Sequence, residues 1–417
     1  MMKIQKRLVL QVVVSFIIFY VCIGSNNNVK ETQNNEPCTP VTSPIDIVYT
    51  WVNCTDPAFL RQLTHQDKTR SDTAEDTSQS RFQDFNQLLY SLRSIEMYAP
   101  WANRVFIVTN GQVPYWLNET HATIVTHDTI FDDPTHLPTF NAQAIEANLH
   151  RIPGLAENFI YFNDDTALAG PTCPRDFVSE ESGFVVRSGG AEYGFMKRHF
   201  FAPAKCSESC LAKRDNDVCD EQCNTVNCLY DGNECAKQLP PGDGRPSWFG
   251  AVHFTFAMLI EKAGFELVAR SAVKVTHTPL LMNTRILADL RSHFGAYYTE
   301  TSSHHTRQRN EVQTQIMYVN WLVVAPSVVN VDKQLYRFRV ADTADTLFIG
   351  YGKGTVDEAQ QLLLKTLDKI SQIKLLCVND LIDYSVEYEA EKKMFLVQNF
   401  YEKLYSKQSK YERVSTS

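Results

Sequence analysis

Asn163, Asp164 and Asp165 follow the apolar run Phe159-Ile-Tyr-Phe162. A β-forming run that ends on one amide and two carboxylates delivers oxygen ligands to the carboxyl end of a strand, where open α/β sheets bind their ligands. Magnesium takes hard oxygen ligands, commonly one or two carboxylates together with phosphates. Adjacent carboxylates repel unless a cation lies between them, so the pair points to metal-assisted chemistry on a phosphate. The same residue types also make turns and helix caps, and the pair alone does not decide between these uses. Asp380, in Cys377-Val-Asn379-Asp380, repeats the strand-then-Asn-Asp arrangement far along the chain. It either completes the same metal site from another side or closes an Asx turn.

The elements that must position these groups alternate in type. Ile45 to Asn53 reads as a buried strand, and Val105-Phe-Ile-Val108 as another that ends on Thr109-Asn110-Gly111-Gln112. Between them, after Arg81-Phe-Gln-Asp84, the segment from Leu88 to Tyr98 reads as an amphipathic helix. Strand, helix, strand, loop, strand is a parallel α/β pattern. Further along, helices are predicted over Trp248–Leu259, Asn310–Val323, Asp357–Ile373 and Glu387–Tyr405, and strands over Leu335–Val340 and Asp345–Tyr351. The polar tail 406–417 is predicted to fray.

A chain of 417 residues with net charge −8 and no basic stripe excludes nucleic acid as a partner. Lys3, Lys6 and Arg7 precede the apolar run Leu8 to Gly24. That pattern predicts one membrane anchor with a cytoplasmic N-terminus, a cleaved signal peptide being the alternative. The Asn-rich residues that follow make an unstructured stem. The sequons at Asn53 and Asn118 fit a secretory compartment. Cys206, Cys210, Cys219, Cys223, Cys228 and Cys235 crowd one short segment. Such spacing serves zinc or disulfides; an oxidising lumen favours disulfides, and the spacing leaves their pairing open. Leu239 to Pro246 is a Pro/Gly linker. Pairing of Cys38, Cys54, Cys173 and Cys377 is not legible.

The segments "IDIVYTWVN", "YSLRSIEMYAPW", "FIVTNGQVPYWL", "HLPTFNAQAIEANLHRIPGL" and "FIYFNDD" resemble the first two conserved regions of the stealth family of sugar-phosphate transferases. "SSHHTRQRNEVQ", and "KLLCVND" with the later "FYEKLY", resemble the third and fourth. The resemblance implies an α/β fold with a nucleotide-sugar-transferase-like, mostly parallel sheet flanked by helices. It implies attack of a sugar hydroxyl, such as a mannose hydroxyl on glycoprotein N-glycans, on the sugar-side phosphorus of a UDP-sugar such as UDP-N-acetylglucosamine. It further implies magnesium or manganese at Asp164, Asp165 and Asp380, a Golgi membrane location, and a recognition subunit or a second copy as partner.

By the same resemblance His304 is the proton acceptor, with Asp165 as its rival, and Arg307 the phosphate-binding fork; a solvated basic face is the plainer reading. His277 is the other matching histidine, a core histidine being the alternative. Trp51, Asn53 and Asp56 read the nucleotide, with Trp51 as a stacking face or a structural residue. Arg81, Asp84 and Arg93 belong to the second region, where Arg93 binds phosphate or pairs with Glu96. The loop from His136 to Asn141 lines the sugar site, Asn379 accompanies Asp380, and Glu311 and Gln313 match a family acid and glutamine. The chain departs from the pattern at Asn86, Gln87 and Leu89, where two acids and an arginine are usual, at Cys54 and at Leu280. These departures leave the donor and acceptor open, and leave a catalytically weakened lumenal binding protein as an alternative.

Cys219 to Cys235 resembles a Notch-type (LNR) repeat. That implies disulfides Cys206–Cys228, Cys210–Cys223 and Cys219–Cys235, and calcium held by Asn216, the Val218 carbonyl, Asp231 and Glu234, the last standing where aspartate is usual. The expected organisation is 1–24 tail and anchor, 25–43 stem, 44–205 and 236–405 catalytic domain, 206–235 disulfide-rich calcium-binding insert, and 406–417 tail. A module this small has almost no apolar core, so bridges and a cation must hold it. Calcium removal is expected to raise protease cutting within 206–235 before any other segment; cutting elsewhere first contradicts this.

Overall fold

A computed structural model describes residues 38, 43–53, 55–67, 84–188, 209, 220 and 247–413. The Notch-type insert, apart from Ser209 and Asp220, and the apolar run near the N-terminus lie outside the described residues, as do the disulfides, calcium ligands and Arg81 assigned above. Among the described residues no helix is long and apolar enough to cross a membrane.

Strands β1 (Ile45–Thr50), β2 (Val105–Thr109) and β4 (Asn158–Phe162) are rich in β-branched and aromatic residues and buried almost throughout. Burial on both faces is the mark of a parallel strand covered by helices. With β3 (Thr123–Thr126) and β8 (Leu280–Asn283) they form one sheet in the order β3-β2-β1-β4-β8, parallel except for the β8 edge. From β1 the sheet grows through β2 and β3 on one side and returns to β4 on the other. The carboxyl ends of β1 and β4 therefore flank the topological switch point, the crevice in which such sheets bind ligands. Asn163, Asp164 and Asp165 leave β4 at that crevice.

The chain then enters a second sheet at once. β5 (Thr166–Leu168) pairs antiparallel with β11 (Leu375–Asp380), which runs parallel to β10 (Thr346–Tyr351). A third small sheet joins β6 (Val178–Ser179), β7 (Gly183–Arg187) and β9 (Phe338–Ala341). The two carboxylates thus sit on the turn that couples the two larger sheets. Helix α2 (Gln87–Tyr98; α1 is Pro57–Asp67) locks that coupling. Ser91 Oγ lies 2.7 Å from Tyr49 Oη and donates to the Thr166 carbonyl at 2.7 Å, while Ser94 Oγ accepts from the Leu168 amide at 3.0 Å. Small serines allow the helix to approach both strands.

α3 (Ser247–Ala263), α4 (Phe265–Ser271), α5 (Thr284–Ser303) and α6 (Thr314–Val328) share one core with the main sheet. α6 is buried nearly all round, which its apolar composition requires. Asn283 caps α5, its Oδ1 accepting from the amides of Arg285 and Ile286. α7 (Val356–Leu367) and α8 (Glu387–Leu404) cover the second sheet. Cys38 is disulfide-bonded to Cys173 with Cα atoms 5.3 Å apart, and Cys377 is buried outside any disulfide.

Several expectations are corrected. The helix predicted from Asn310 begins at Thr314, because side chains take the preceding backbone donors: Gln308 N donates to Glu311, Val312 N to Thr301 and Gln313 N to Thr255. The strand predicted from Leu335 begins at Phe338, since Asp332 holds the chain before it in a turn. The helix predicted to Ile373 ends at Leu367, with a 3₁₀ turn at Ile370–Gln372. The tail does not fray before 413: Tyr411 and Glu412 are buried, and the Tyr411 carbonyl accepts from the Asn118 amide at 2.7 Å. Arg93 anchors it. Its guanidinium donates to both Glu412 oxygens at 2.9 and 2.8 Å, to the Tyr405 carbonyl at 2.8 Å and to Glu402 at 3.1 Å. Arg93 thus serves the fold: its guanidinium is taken up by Glu412, Glu402 and the Tyr405 carbonyl, and not by Glu96 or an open phosphate site.

Burial alone would raise the Glu412 carboxyl, but bonds from Arg93 and Ser409 outweigh it and hold the group below its ordinary 4.5. A depressed acid contributes stability that is full above 4.5 and is lost as pH falls through the lower folded value. Glu412→Gln should therefore cost about 1 kcal/mol at neutral pH, the ion pair being partly screened by solvent. Urea unfolding of the two proteins should converge as the solution is acidified through that window; a constant gap across it contradicts the assignment.

Candidate active site

Three carboxylates meet at the switch-point crevice. Asp84 accepts from Trp51 Nε1 at 2.7 Å and from the Gln87 amide at 2.7 Å. Its burial still raises the carboxyl above the usual range against these bonds. Asp164 is pushed up much further, first by its enclosure and then by the charges of Asp165 and Asp84. Asp165 has one oxygen 3.4 Å from Cys377 Sγ and the other 3.8 Å from His277 Nε2. The latter oxygen is shut off from solvent with no hydrogen-bond partner. Close carboxylates with an orphaned buried oxygen fit a divalent cation, which would relieve both the repulsion and the missing bond. Asp164 and Asp165 are the residues that would hold it.

Asp380 lies at the end of β11, where its oxygens accept from the Ile382 amide at 2.8 Å and Tyr384 Oη at 2.6 Å. Burial raises its carboxyl to about 6, against those two bonds. The geometry is that of an Asx turn at a strand end. Among the described residues, the ligand atoms that cluster within 4.8 Å belong to Asp165, His277 and Cys377. The His277 ring is braced by the Asn163 amide, 2.6 Å from Nε2, and lies 5.9 Å from the Phe348 ring.

The second group of residues comes from the loop before Ala142–Glu146 and from the segment after α5. His304 Nδ1 is 3.6 Å from Glu311 Oε2, and that oxygen also accepts from Asn141 Nδ2 at 2.6 Å and Gln308 N at 3.1 Å. Glu311 is fully buried, so its position is fixed by these donors. One backbone and one side-chain bond hold the loops together: the Phe140 amide donates to the His305 carbonyl at 2.7 Å, and Thr139 Oγ1 to the His304 carbonyl at 3.1 Å. His136 Nδ1 lies 3.1 Å from Ser302 Oγ, which places it behind this loop pair.

Tyr161 joins the two groups. Its hydroxyl lies 2.9 Å from Thr50 Oγ1 and donates to Glu146 Oε1 at 3.4 Å. Burial raises the phenol most, and the charges of Glu146, Asp164 and Asp165 add to it. Glu146 is itself pushed up to about 7 by burial, opposed by a bond from Gln315 and by the Arg307 charge. Tyr161 and Glu146 are thus bonded to one another, Tyr161 feels the charges of Asp164 and Asp165, and Glu146 feels those of Arg307 and Glu311.

Trp51 is 7% exposed and packs in the core, so its ring is no open stacking face; its N–H steadies Asp84 instead. Asp56 accepts from the Ala58 amide at the start of α1 and, with Asn53, is tied to Gln112. These residues line the β1–β2 side of the crevice. Asn53 and Asn118 each accept from the threonine of their sequon, and Asn118 Nδ2 also donates to the Lys410 carbonyl. Sequence reasoning missed Glu146, Tyr161 and Cys377 as members of the site. For Cys377 a signal existed: it is two residues from Asn379, on the same face of the strand.

Conserved regions 1, 2 and 3 of the stealth proteins match residues 43–64, 81–186 and 276–323, and an LNR domain matches 203–236. The chain is 40% identical over 215 residues to human "N-acetylglucosamine-1-phosphotransferase subunits alpha/beta", which takes in 50% of this chain and 16% of that protein. It is 43% identical over 167 residues to an exopolysaccharide phosphotransferase of Streptomyces coelicolor, 40% of this chain and 26% of the relative. It is 41% identical over 152 residues to a capsular polysaccharide phosphotransferase of Haemophilus influenzae, 36% of this chain and 41% of the relative. The chain spans less than half the length of each of these relatives.

The raised Glu146 carboxyl makes a test of its burial. A folded value near 7 against an ordinary 4.5 means that ionisation is penalised in the folded state as pH rises through that interval. Glu146→Gln should gain stability relative to the parent between pH 5 and pH 8, on the order of 2–3 kcal/mol. Thermal unfolding at the two pH values measures it, and an unchanged difference contradicts the burial argument.

Proposed function

We propose that this chain, a stealth protein by its three conserved regions, transfers a sugar-1-phosphate from a nucleotide sugar to a sugar hydroxyl. The reading adopts UDP-N-acetylglucosamine as donor and a mannose hydroxyl on glycoprotein N-glycans as acceptor. It places the protein in the Golgi membrane through its N-terminal apolar run, with calcium in the LNR domain. What supports it most is one arrangement: Asp164 and Asp165 at the switch-point crevice, Tyr161 bonded to Glu146 within reach of their charges, and Arg307 and Glu311 within reach of Glu146, with His304 beside Glu311. Phosphoryl transfer needs charge neutralisation on the phosphates, a positive group for the developing charge and a proton acceptor.

When bound, a magnesium or manganese ion supplies charge neutralisation on the pyrophosphate. The rest falls to the chain. His304 takes the acceptor hydroxyl proton, and Glu311, 3.6 Å from its Nδ1, stabilises the imidazolium that forms. The acceptor oxygen bonds to the sugar-side phosphorus, and the bond from that phosphorus to the UMP oxygen breaks. Arg307 offers a fork to the transferring phosphate. The tie of Asn141 to Glu311 keeps the His136–Asn141 loop beside the base. The bacterial relatives act, by their names, on exopolysaccharide and capsular polysaccharide, which keeps a different donor and acceptor as the second reading.

Asp165→Asn preserves volume and removes charge, and should lower transfer by orders of magnitude without loss of fold. His304→Ala should cost roughly 10²–10⁴-fold in transfer and flatten the acidic limb of the pH–rate profile. Full transfer by His304→Ala with an unchanged profile moves the base role to a carboxylate. Full activity of the parent in excess chelator overturns the cation requirement.

A further inference from the structure

We propose that Asp165, His277 and Cys377 form a site for a zinc-class transition ion, with a fourth coordination position open to the crevice. The site shares Asp165 with the cation site described above, using the Oδ2 that faces Cys377 and leaving the orphaned Oδ1 to that ion. Three elements distant in sequence converge here: the β4–β5 turn, the segment before β8, and β11. Cys377 Sγ lies 3.4 Å from Asp165 Oδ2 and 3.7 Å from His277 Nδ1. Zinc bonds of about 2.3 Å to sulfur and about 2.0–2.1 Å to nitrogen or oxygen, at tetrahedral angles, place such donor atoms about 3.5–3.6 Å apart. The two Cys377 separations match that spacing, and Asp165 approaches His277 on the other side of the ring, 3.8 Å from Nε2.

The donor set decides the kind of ion. Magnesium and calcium take oxygen donors, whereas one thiolate, one imidazole and one carboxylate are a borderline-to-soft set that selects zinc and its neighbours. Three protein ligands with one position left open is the pattern of catalytic zinc sites, while structural sites fill all four. The supporting contacts agree. With the Asn163 amide turned so that its oxygen accepts from Nε2–H, His277 presents the Nδ1 lone pair toward Cys377. Phe348 limits the rotation of the ring. Cys377 is fully buried, while the His277 side chain is 38% exposed, so the ion enters from the histidine side. Binding converts the Cys377 thiol to a thiolate and releases one proton to solvent. The plainer alternative is that the thiol only donates a hydrogen bond to Asp165.

Cobalt(II) separates the two, because a thiolate–cobalt bond gives a charge-transfer band that a hydrogen bond does not. The full chain, kept non-reduced and in calcium so that the LNR domain stays filled, is titrated with cobalt and then with competing zinc. The expected result is one equivalent of tetrahedral cobalt with a thiolate charge-transfer band, bleached by zinc but not by a large excess of magnesium. Cys377→Ser should remove the band, and its zinc affinity should fall by more than about 100-fold, a loss that supporting partners alone can cause. His277→Gln, at a partly exposed position, should show the same loss if the serine variant does not fold. Absence of the band in the parent, or its persistence in both variants, overturns the site. Transfer activity is not the readout, so failure here leaves the transferase reading standing, and failure of transfer leaves this site standing.

Discussion

Carboxylates placed side by side at the end of a strand repel one another, and much of this protein can be understood as the means of containing that repulsion. Asp84, Asp164 and Asp165 converge where the main sheet reverses its strand order. Left in the interior without relief, such a group would protonate or open the fold. The chain instead restrains it from several sides. Trp51 and the start of α2 hold Asp84, and β11 carries Cys377 against Asp165. His277 approaches from the segment before β8. The same turn is the covalent link between the two larger sheets, so the strained electrostatics and the sheet coupling occupy one place. A cation is the remaining element that such an arrangement calls for.

The second half of the site works by a different principle. His304 and Glu311 are enclosed, and the glutamate has its donors supplied by Asn141 and Gln308. A buried carboxylate held in this way sets a fixed negative group 3.6 Å from the His304 ring. Glu311 and Glu146 each leave one buried oxygen without a partner, and burial raises the Glu146 carboxyl to about 7. The two buried acids differ in their donors: Asn141 and Gln308 serve Glu311, whereas Tyr161 and Gln315 serve Glu146. Differences of this kind between neighbouring acids are how sites divide ligand, orienting and proton-holding roles.

The skeleton of the fold was legible from apolar runs. β1, β2, β4 and α2 follow from Ile45–Thr50, Val105–Thr109, Asn158–Phe162 and Gln87–Tyr98, because burial on both faces or one face writes a periodicity into the residues. Asp164 and Asp165 were legible as strand-end carboxylates. What was not legible is convergence. Cys377 and Asp165 are 212 residues apart, and no local pattern announces that β5 pairs with β11. Tyr161 and Glu146 read as core tyrosine and helical glutamate until the sheet brings them together. Arg93 had a helical partner in reach at Glu96, yet the tail returned to offer Glu412, a better bidentate partner from a segment that looked too polar to pack. Trp51 looked like a stacking face because its position is right; the core claimed it.

The central claim is that the chain transfers phosphate along with the sugar. Phosphorus-31 spectroscopy of the full chain with UDP-N-acetylglucosamine, a divalent cation and a mannoside reads the products directly. The account predicts UMP together with a new phosphodiester resonance, in equal amounts. Release of UDP, the product of ordinary glycosyl transfer, or no turnover of the donor with any acceptor sugar, would contradict it.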